Sequence, residues 1–246
     1  MNNGEKDITF RSMHPCYYIN MERSPDRKAF VETHFENIKR IVAYDGKMLE
    51  KYTDVFPPKD ISKTRDKPTS SQLACCYSHI KMIKHVYDNG DKEALFFEDD
   101  MWPKHISEWM FTIDKIIDLK SDHTECIQFF CNNNSKIEKL YRTNYLFSKW
   151  VPDNWSTGCY YMNRGGMQKI VDRYVDGKNI VLPDNLPNYT ADDTIVYRYV
   201  DSVTCNIPTF QSRIFKSTIH TSDGEHNNSS LYETKVNKII DDYYST

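Results

Sequence analysis

The chain has 246 residues, of which 39% are hydrophobic and 27% are charged, a composition typical of a soluble globular protein with one large domain. Its formal net charge of −3 argues against a polyanion-binding surface, so we expect no nucleic-acid partner. No apolar run approaches the ~20 residues that cross a bilayer. The polar residues 1–11 lack a signal-peptide core, so we expect a cytoplasmic protein with no transmembrane segment.

The opening segment predicts a strand, a helix and a second strand. Residues 16–20 form the first strand, a short apolar run. Pro25 follows a favourable N-cap serine, and apolar side chains then recur near helical spacing as far as Ile38. Residues 41–43 form the second strand, which ends at the turn Asp45-Gly46. A strand–helix–strand unit of ~30 residues predicts a parallel sheet.

The middle of the chain predicts a long amphipathic helix and a buried strand. The helix begins near Ser70 or Ser71 and ends at Asn89-Gly90. Its apolar residues recur every three or four positions: Leu73, Cys76, Tyr77, Ile80, Ile83 and Tyr87. Residues 94–97 predict a short buried strand, and a further amphipathic helix is predicted through residues 106–117.

The second half of the chain is less regular. Strands are predicted at residues 126–130, 145–151 and 158–162, a helix after Gly165-Gly166, and a helical stretch at 194–199. The predicted domains are a polar N-terminal extension (1–14), a catalytic domain (15–221) and a C-terminal tail with a docking helix (222–246).

The seven cysteines are an odd number, and no two of them have Cys-x-x-Cys spacing. This pattern argues against a disulfide framework and against a structural zinc site. Two of the N-glycosylation sequons, those that begin at Asn154 and Asn188, lie beside stretches that also hold predicted site residues. A glycan there would obstruct the site, which agrees with a cytoplasmic protein, although an Asn-rich chain also produces sequons by chance.

Glu98-Asp99-Asp100 is the sharpest local signal for chemistry, because three carboxylates follow directly after a buried apolar strand. Ligands of open α/β sheets bind beyond the carboxyl ends of the strands. Carboxylates this close repel one another unless a cation neutralises them, and Mg²⁺ or Mn²⁺ suits such hard ligands. A cation of this kind stabilises a diphosphate leaving group. The alternative is a solvated acidic turn.

Three further groups carry weaker signals, each with a structural alternative. Arg23 and Arg27 belong to the strand-to-helix turn after Asn20, where they either hold phosphates or are solvated arginines beside a helix cap. Asp192-Asp193 opens a predicted helix, where these residues either include a general base or cap the helix. His220 either completes a metal site or is a structural histidine.

Three segments together resemble glycosyltransferase family 25, which includes lipooligosaccharide and procollagen galactosyltransferases. Residues 18–27 (YINMERSPDR) are similar to the family's INLxRxxxR turn, residues 71–79 (SQLACCYSH) to its GExGCxxSH helix, and residues 97–100 (FEDD) to its EDD motif. Their order and spacing also fit, and the resemblance covers residue 15 to about residue 220. Gln72 and Ala74 depart from the family's usual Glu and Gly, which concerns the identity of the donor more than the reaction.

The resemblance implies a GT-A fold, an αβα sandwich built on a mostly parallel central sheet. It implies that Asp100 binds the metal and that His220 completes the metal shell. Asp99 would reach the donor ribose, and Glu98 would act through water or the ribose. The other implied donor-binding residues are Asn20, Arg23, Arg27 and Gly158.

Asp193 or Asp192 would be the catalytic base. We favour Asp193, because Asp192 comes first and is better placed to cap the predicted helix. His79 lies inside the long helix, where we expect a packing and hydrogen-bonding role.

The expected protein is therefore a metal-dependent, inverting glycosyltransferase with Mn²⁺ or Mg²⁺ as its cofactor. It would move galactose or glucose from a UDP-sugar to a hydroxyl of a glycan or glycoprotein acceptor, as part of bacterial or viral glycan synthesis. One alternative is a catalytically silent homologue that binds a glycan or a partner protein. Another is a metal-dependent nucleotidyltransferase or phosphohydrolase, which usually needs a second acidic metal site that the sequence does not offer.

Overall fold

Twelve strands and six α-helices form the described part of the chain, which in this computed structural model covers residues 9–62, 64, 67–184, 186–215 and 223–245. Of residues 223–230, the backbone alone is described. The strands are β1 (Cys16–Asn20), β2 (Ile38–Val42), β3 (Val55–Phe56), β4 (Glu93–Glu98), β5 (Met101–Trp102), β6 (Cys126–Gln128), β7 (Phe147–Lys149), β8 (Cys159–Asn163), β9 (Val175–Asp176), β10 (Asn179–Val181), β11 (Ser202–Cys205) and β12 (Gln211–Ser212). The α-helices are α1 (Pro25–His34), α2 (Ser70–Asp88), α3 (Ile113–Asp118), α4 (Asn134–Leu140), α5 (Arg164–Tyr174) and α6 (Asp223–Tyr244). Turns of 3₁₀-helix lie at Gly46–Lys51 and Ile106–Glu108, and a π-helical turn lies at Ala191–Ile195.

The central sheet has seven strands in the order β2-β1-β4-β8-β6-β11-β7. The neighbours β2, β1 and β4 are parallel, as are β6 and β11, whereas β8 and β7 run in the opposite direction. Five of the seven strands therefore point one way. This confirms the predicted α/β class with a mostly parallel central sheet. Two small sheets, β3-β10-β9 and β12-β5, lie outside it.

The opening strand–helix–strand unit forms as the sequence predicts, with one shifted boundary. β1 and β2 are parallel, and α1 begins at Pro25. The helix ends at His34, because Phe35 is extended (φ −127°, ψ 128°) and Asn37 takes a left-handed conformation (φ 58°). β2 therefore begins at Ile38, a residue that the helical spacing places in the helix.

A capping box fixes the start of α2. The side chain of Thr69 accepts from the N–H of Gln72 at 3.2 Å, and the side chain of Gln72 accepts from the N–H of Thr69 at 2.8 Å. Of the two predicted starts, Ser70 and Ser71, the structure has Ser70. Gln72, one of the two departures from the usual family motif, thus has a structural role that a Glu also performs.

Apolar side chains pack on both faces of the sheet. One cluster joins α2 and α5 to Phe96, and the other joins α1, α3 and α6 to Leu95 and Phe97. Successive residues of a strand point to opposite faces, which explains how β4 serves both clusters. Val236 and Ile240 of α6 are fully buried in the second cluster, so the C-terminal helix packs against the rest of the fold.

The continuous helix predicted through residues 106–117 is wrong. The chain forms a 3₁₀ turn there and becomes extended at Trp109 (φ −63°, ψ 127°). A new helix, α3, then begins after Thr112, whose side chain accepts from the N–H of Lys115 at 3.2 Å. The capping threonine interrupts the apolar periodicity that suggested one helix.

The helical stretch predicted at 194–199 is also wrong. The helical residues are the π-helical turn Ala191–Ile195, which starts after the N-cap residue Thr190 and does not continue through Tyr199. No helix in the described ranges has an apolar stretch of bilayer-spanning length.

Candidate active site

A cavity of about 320 Å³ lies at the carboxyl ends of β1 and β4. These strands are parallel neighbours, so the polar residues at their ends, Asn20 and Glu98-Asp99-Asp100, meet on one side of the sheet. Arg27 comes from α1, Cys75 from α2, and residues 155–157 from the loop before β8. The fold thus brings together segments that are far apart in sequence.

The charges that line the cavity are unbalanced. Among the described lining residues, five carry a carboxylate and one, Arg27, carries a positive charge. The carboxylates belong to Glu98, Asp99, Asp100, Asp192 and Glu233. An anionic ligand such as a diphosphate would be repelled by this set unless a cation entered with it.

Asp99 is held by two residues that the sequence also marks as donor-binding. Its Oδ2 accepts from Asn20 Nδ2 at 2.7 Å, and its Oδ1 pairs with an Arg27 guanidinium nitrogen at 2.5 Å. Asn20 is in turn fixed by Arg40, whose Nε donates to Asn20 Oδ1 at 2.9 Å. Burial raises the pKa of Asp99, and Arg27 and Asn20 offset only part of this effect. Asp99 therefore fixes the position of Arg27 beside the cavity.

Asp100 has fewer contacts than its neighbour. A guanidinium nitrogen of Arg27 lies 3.4 Å from its Oδ2. Its buried Oδ1 has no hydrogen-bond partner among the residues that the structure describes. Burial raises the pKa of Asp100 well above its ordinary value, and repulsion from Glu98 and Asp99 adds to this against the attraction of Arg27. A buried polar atom without a partner is costly, and a bound cation would remove that cost.

Glu98, the last residue of β4, contacts α2 and the loop before β8. Its Oε1 accepts from Thr157 Oγ1 at 2.6 Å and lies 3.3 Å from His79 Nε2. The other ring nitrogen of His79, Nδ1, lies 3.1 Å from Tyr160 OH. Burial alone would raise the pKa of Glu98, but the hydrogen bonds from His79 and Thr157 and the charge of Arg27 hold it below its ordinary value. Glu98 is therefore an ionised carboxylate whose position is fixed by its neighbours.

The loop before β8 carries Ser156 in a left-handed conformation (φ 101°), which is rare for a residue with a side chain. Gln128 Nε2 donates to the carbonyls of Asn154 at 2.6 Å and Ser156 at 2.9 Å, and Tyr197 OH donates to the carbonyl of Ser156 at 3.0 Å. The N–H of Ser156 donates to Asp192 Oδ2 at 3.0 Å. These bonds hold a strained backbone in place beside the cavity.

The adjacent residues Asp192 and Asp193 have different surroundings. Asp192 lines the cavity, and its Oδ1 accepts from the N–H of Asp193 at 2.9 Å. Asp193 is not among the lining residues, and its carboxylate pairs with Arg198 and accepts from Asn188. Thr190 is the N-cap of the π-helical turn, so the reason for assigning Asp192 to capping and Asp193 to the cleft does not hold.

Three other predicted site residues lie outside the cavity lining or outside the described residues. Arg23 does not line the cavity, and its Nε donates to Asp45 Oδ2 at 2.5 Å on the surface. Gly158 does not line it either. A Cβ at Gly158 would lie 2.6 Å from Met101 Sδ, so packing accounts for this glycine. His220 lies outside the described residues.

The family model described as glycosyltransferase family 25 (LPS biosynthesis protein) matches residues 13–194 of the 246. The chain belongs to glycosyltransferase family 25. A solved structure described as a glycosyltransferase involved in the glycosylation of the major capsid of PBCV-1 has a TM-score of 0.28 and 13% identity to it, over 89% of this chain and 100% of that one. No curated protein matches the chain.

In this family 25 transferase, two lining residues come from beyond the matched segment. Phe215 lies in the chain after β12, and its ring centroid is 4.9 Å from the guanidinium carbon of Arg27. Glu233 belongs to α6 and adds a carboxylate near Asp100. The C-terminal part of the chain therefore completes the cavity, although the predicted domain boundary excludes α6 from the catalytic domain.

His79, Cys75 and Gln128 also belong to the site, and sequence reasoning missed the last two. His79 has the expected packing and hydrogen-bonding role, because it is fully buried between Tyr160 and Glu98. Cys75 is not among the predicted site residues, yet it lines the cavity one helical turn before His79. Their i, i+4 spacing places both side chains on one face of the helix, a signal that could have linked Cys75 to His79. Gln128 offers no comparable signal, because its contacts are all distant in sequence.

Proposed function

We propose that this family 25 protein is a metal-dependent, inverting glycosyltransferase with a GT-A fold. It would transfer galactose or glucose from a UDP-sugar to a hydroxyl of a glycan or glycoprotein acceptor in the cytoplasm. The observation that carries the proposal is the charge imbalance of the cavity. A cavity lined by five carboxyl groups and one guanidinium suits a diphosphate that enters together with a cation, as a metal-dependent sugar donor does.

The residues present fit a hard divalent cation such as Mn²⁺ or Mg²⁺. Carboxylate oxygens are the ligands that such cations prefer, and the buried Oδ1 of Asp100 lacks a hydrogen-bond partner among the described residues. We propose Asp100 as a direct ligand and His220 as a second one. The bound cation would supply positive charge to stabilise the departing diphosphate.

Four residues are proposed to hold the donor. Arg27 is the one positively charged side chain among the described lining residues, so it is the proposed contact of the diphosphate. Asn20, Asp99 and Glu98 surround it at the strand ends and are the proposed contacts of the ribose, Glu98 directly or through water. Arg23 and Gly158 do not line the cavity, so we assign them no direct contact with the donor.

Asp192 is the proposed general base. It lines the cavity from the π-helical turn, whereas Asp193 pairs with Arg198. Asp192 would take the proton of the acceptor hydroxyl as the oxygen attacks the anomeric carbon. The bond from that carbon to the diphosphate oxygen breaks on the opposite face, and the electron pair leaves with the diphosphate. One displacement of this kind inverts the anomeric configuration without a covalent intermediate.

The experiment is a panel of nucleotide sugars, with hydrolysis of each donor measured in the presence of Mn²⁺, Mg²⁺ or chelator. We expect turnover of a UDP-hexose that needs the cation and that Asp100→Asn abolishes. Asp172→Asn is the matched control, because Asp172 is exposed on α5 and does not line the cavity. Equal turnover in chelator would refute the metal assignment. Metal-dependent UDP binding without hydrolysis or transfer of any donor would favour a silent homologue instead.

A further inference from the structure

A second group of metal-ligating side chains shares Glu98 with the acidic motif and adds a thiol and an imidazole to it. Cys75 Sγ, a ring nitrogen of His79 and a carboxylate oxygen of Glu98 all lie within 4.8 Å of one another. Within the described ranges, this is the one group of three His, Cys, Asp or Glu side chains whose ligand atoms come so close. A thiol and an imidazole are soft or borderline ligands, whereas the carboxylates of Asp99 and Asp100 are hard.

One edge of this group matches that of a tetrahedral site, and the other two separations between ligand atoms are at most 4.8 Å. Cys75 and His79 are four residues apart on α2, so their side chains lie on one face of the helix. His79 Nε2 and Glu98 Oε1 are 3.3 Å apart, which is about the edge of a tetrahedron with zinc–ligand bonds of about 2.0–2.1 Å. Small movements of the three side chains would therefore complete the triangle of ligands.

A neighbouring residue already orients the histidine. Tyr160 OH lies 3.1 Å from His79 Nδ1, so the ring nitrogen that faces Glu98 is Nε2. Metal-binding histidines are commonly oriented in this way, by a hydrogen bond at the nitrogen that does not bind the metal. The sequence argument against a structural zinc site concerned Cys-x-x-Cys pairs and does not apply to a Cys-His-Glu group.

We propose that Cys75, as its thiolate, together with His79 and Glu98 forms a binding site for Zn²⁺ or a cation of similar softness. Cys75 and Glu98 both line the cavity, so the fourth coordination position faces the space in which the donor is proposed to bind. Zinc sites with three protein ligands keep such a position for water or another ligand. The site is distinct from the proposed Mn²⁺ site at Asp100, because it uses sulfur and nitrogen.

Zinc bound at this site inhibits transfer. It takes Glu98 away from the hydrogen bond with Thr157, which is 2.6 Å long in the structure, and it places a second cation at the wall of the cavity. This inhibition rests on the proposed function, whereas the binding of Zn²⁺ does not. The two parts therefore need separate measurements.

Binding is tested with Co²⁺ as a spectroscopic probe of the purified full chain under reducing conditions. We expect a thiolate-to-cobalt charge-transfer band in the near ultraviolet, with the intensity of one thiolate-bound Co²⁺ per chain, that an equimolar amount of Zn²⁺ removes. Cys75→Ser should lose the band. Cys76→Ser is the matched control and should keep it, because Cys76 donates to the carbonyl of Tyr189 at 3.4 Å, a bond that serine can also make.

Several results would overturn the proposal. Absence of the band in the folded wild-type chain, or its persistence in folded Cys75→Ser, would exclude Cys75 as a ligand. Removal of the band by excess Mn²⁺ at the concentration that supports transfer would mean that this is not a separate site. Glu98→Gln should weaken Co²⁺ binding at least ~10-fold, and unchanged affinity would exclude Glu98. Thermal unfolding of each variant checks that it is folded.

Inhibition is tested by the Zn²⁺ concentration that halves transfer at saturating Mn²⁺. We expect this concentration to be at least ~10-fold higher in Cys75→Ser than in Cys76→Ser. Equal sensitivity of the two variants would contradict an inhibitory role for this site. If no donor is turned over, the proposed function fails, but the Co²⁺ spectra still decide whether the site exists.

Discussion

The assignment of the base makes the most specific prediction, because two adjacent aspartates give a matched pair of variants. Asp192→Asn should slow transfer by ~100- to ~10,000-fold, which corresponds to about 2.7–5.5 kcal/mol of transition-state stabilisation. Asp193→Asn should leave the rate of transfer within ~10-fold of wild type, because Asp193 does not line the cavity.

The structure indicates that both variants fold. Asp192 accepts two backbone hydrogen bonds, from Ser156 and from Asp193. An asparagine retains one acceptor oxygen, so the loss of the other bond should lower the free energy of unfolding by about 1–3 kcal/mol. Asp193→Asn removes a half-buried ion pair with Arg198. This should lower the free energy of unfolding by about 1–2 kcal/mol, a value between those of exposed and buried ion pairs. Similar losses of stability combined with very different rates would separate catalysis from folding.

The assay is single-turnover transfer at saturating donor and cation, with UDP affinity from calorimetry and stability from thermal unfolding. Asp192→Asn should bind UDP as wild type does, because a general base acts on the acceptor. The reasoning is refuted if Asp193→Asn is the slow variant while Asp192→Asn transfers normally. If both variants transfer normally, the base is a residue outside this turn.

Three further predictions concern the donor site and the packing around it. Arg27→Ala should weaken UDP binding by about 1.5–3 kcal/mol in calorimetry, the value of a charge-assisted hydrogen bond. Arg23→Ala should not, because that residue lies outside the cavity lining, and equal losses would contradict the donor assignment. Gly46→Ala should lower the free energy of unfolding in urea by about 1–3 kcal/mol, because its Cβ would lie 2.6 Å from an α2 backbone atom; an unchanged midpoint would refute this close approach. Ile240→Ala should lower the free energy of unfolding by about 2–5 kcal/mol. Leu231→Ala, at a residue that is 53% exposed, should lower it by less than ~0.5 kcal/mol. Equal losses would mean that α6 is not packed as described.

The sequence predicts those parts of the fold whose signals are local. The apolar run of β1, the apolar periodicity of α2 and the buried strand before Glu98 each depend on residues within one element. The start of α2 was also predictable, because its cap is decided within four residues, from Thr69 to Gln72. The prediction of helices failed where a threonine inside the apolar pattern, such as Thr112, caps a new helix.

The surroundings of the site residues depend on contacts between distant segments. Asp192 is held beside the cavity by Ser156, whose left-handed backbone donates its N–H to Asp192. The environment of Glu98 is decided by His79 and Thr157, which lie 19 and 59 residues away. A pattern within one element contains no information about such partners, so residue types alone could not separate the roles.

The three carboxylates of the acidic motif differ in their surroundings, because each of them has different neighbours. Asp99 is paired with Arg27, Glu98 is held ionised by His79 and Thr157, and Asp100 has a raised pKa. A cation at Asp100 would lower that pKa and would repel Arg27 from the same carboxylate, since both carry positive charge. Arg27, which Asp99 still holds beside the cavity, would then contact the diphosphate that accompanies the cation. Binding of the cation and of the donor should therefore be mutually reinforcing, and UDP affinity should rise with Mn²⁺ by the same factor as Mn²⁺ affinity rises with UDP.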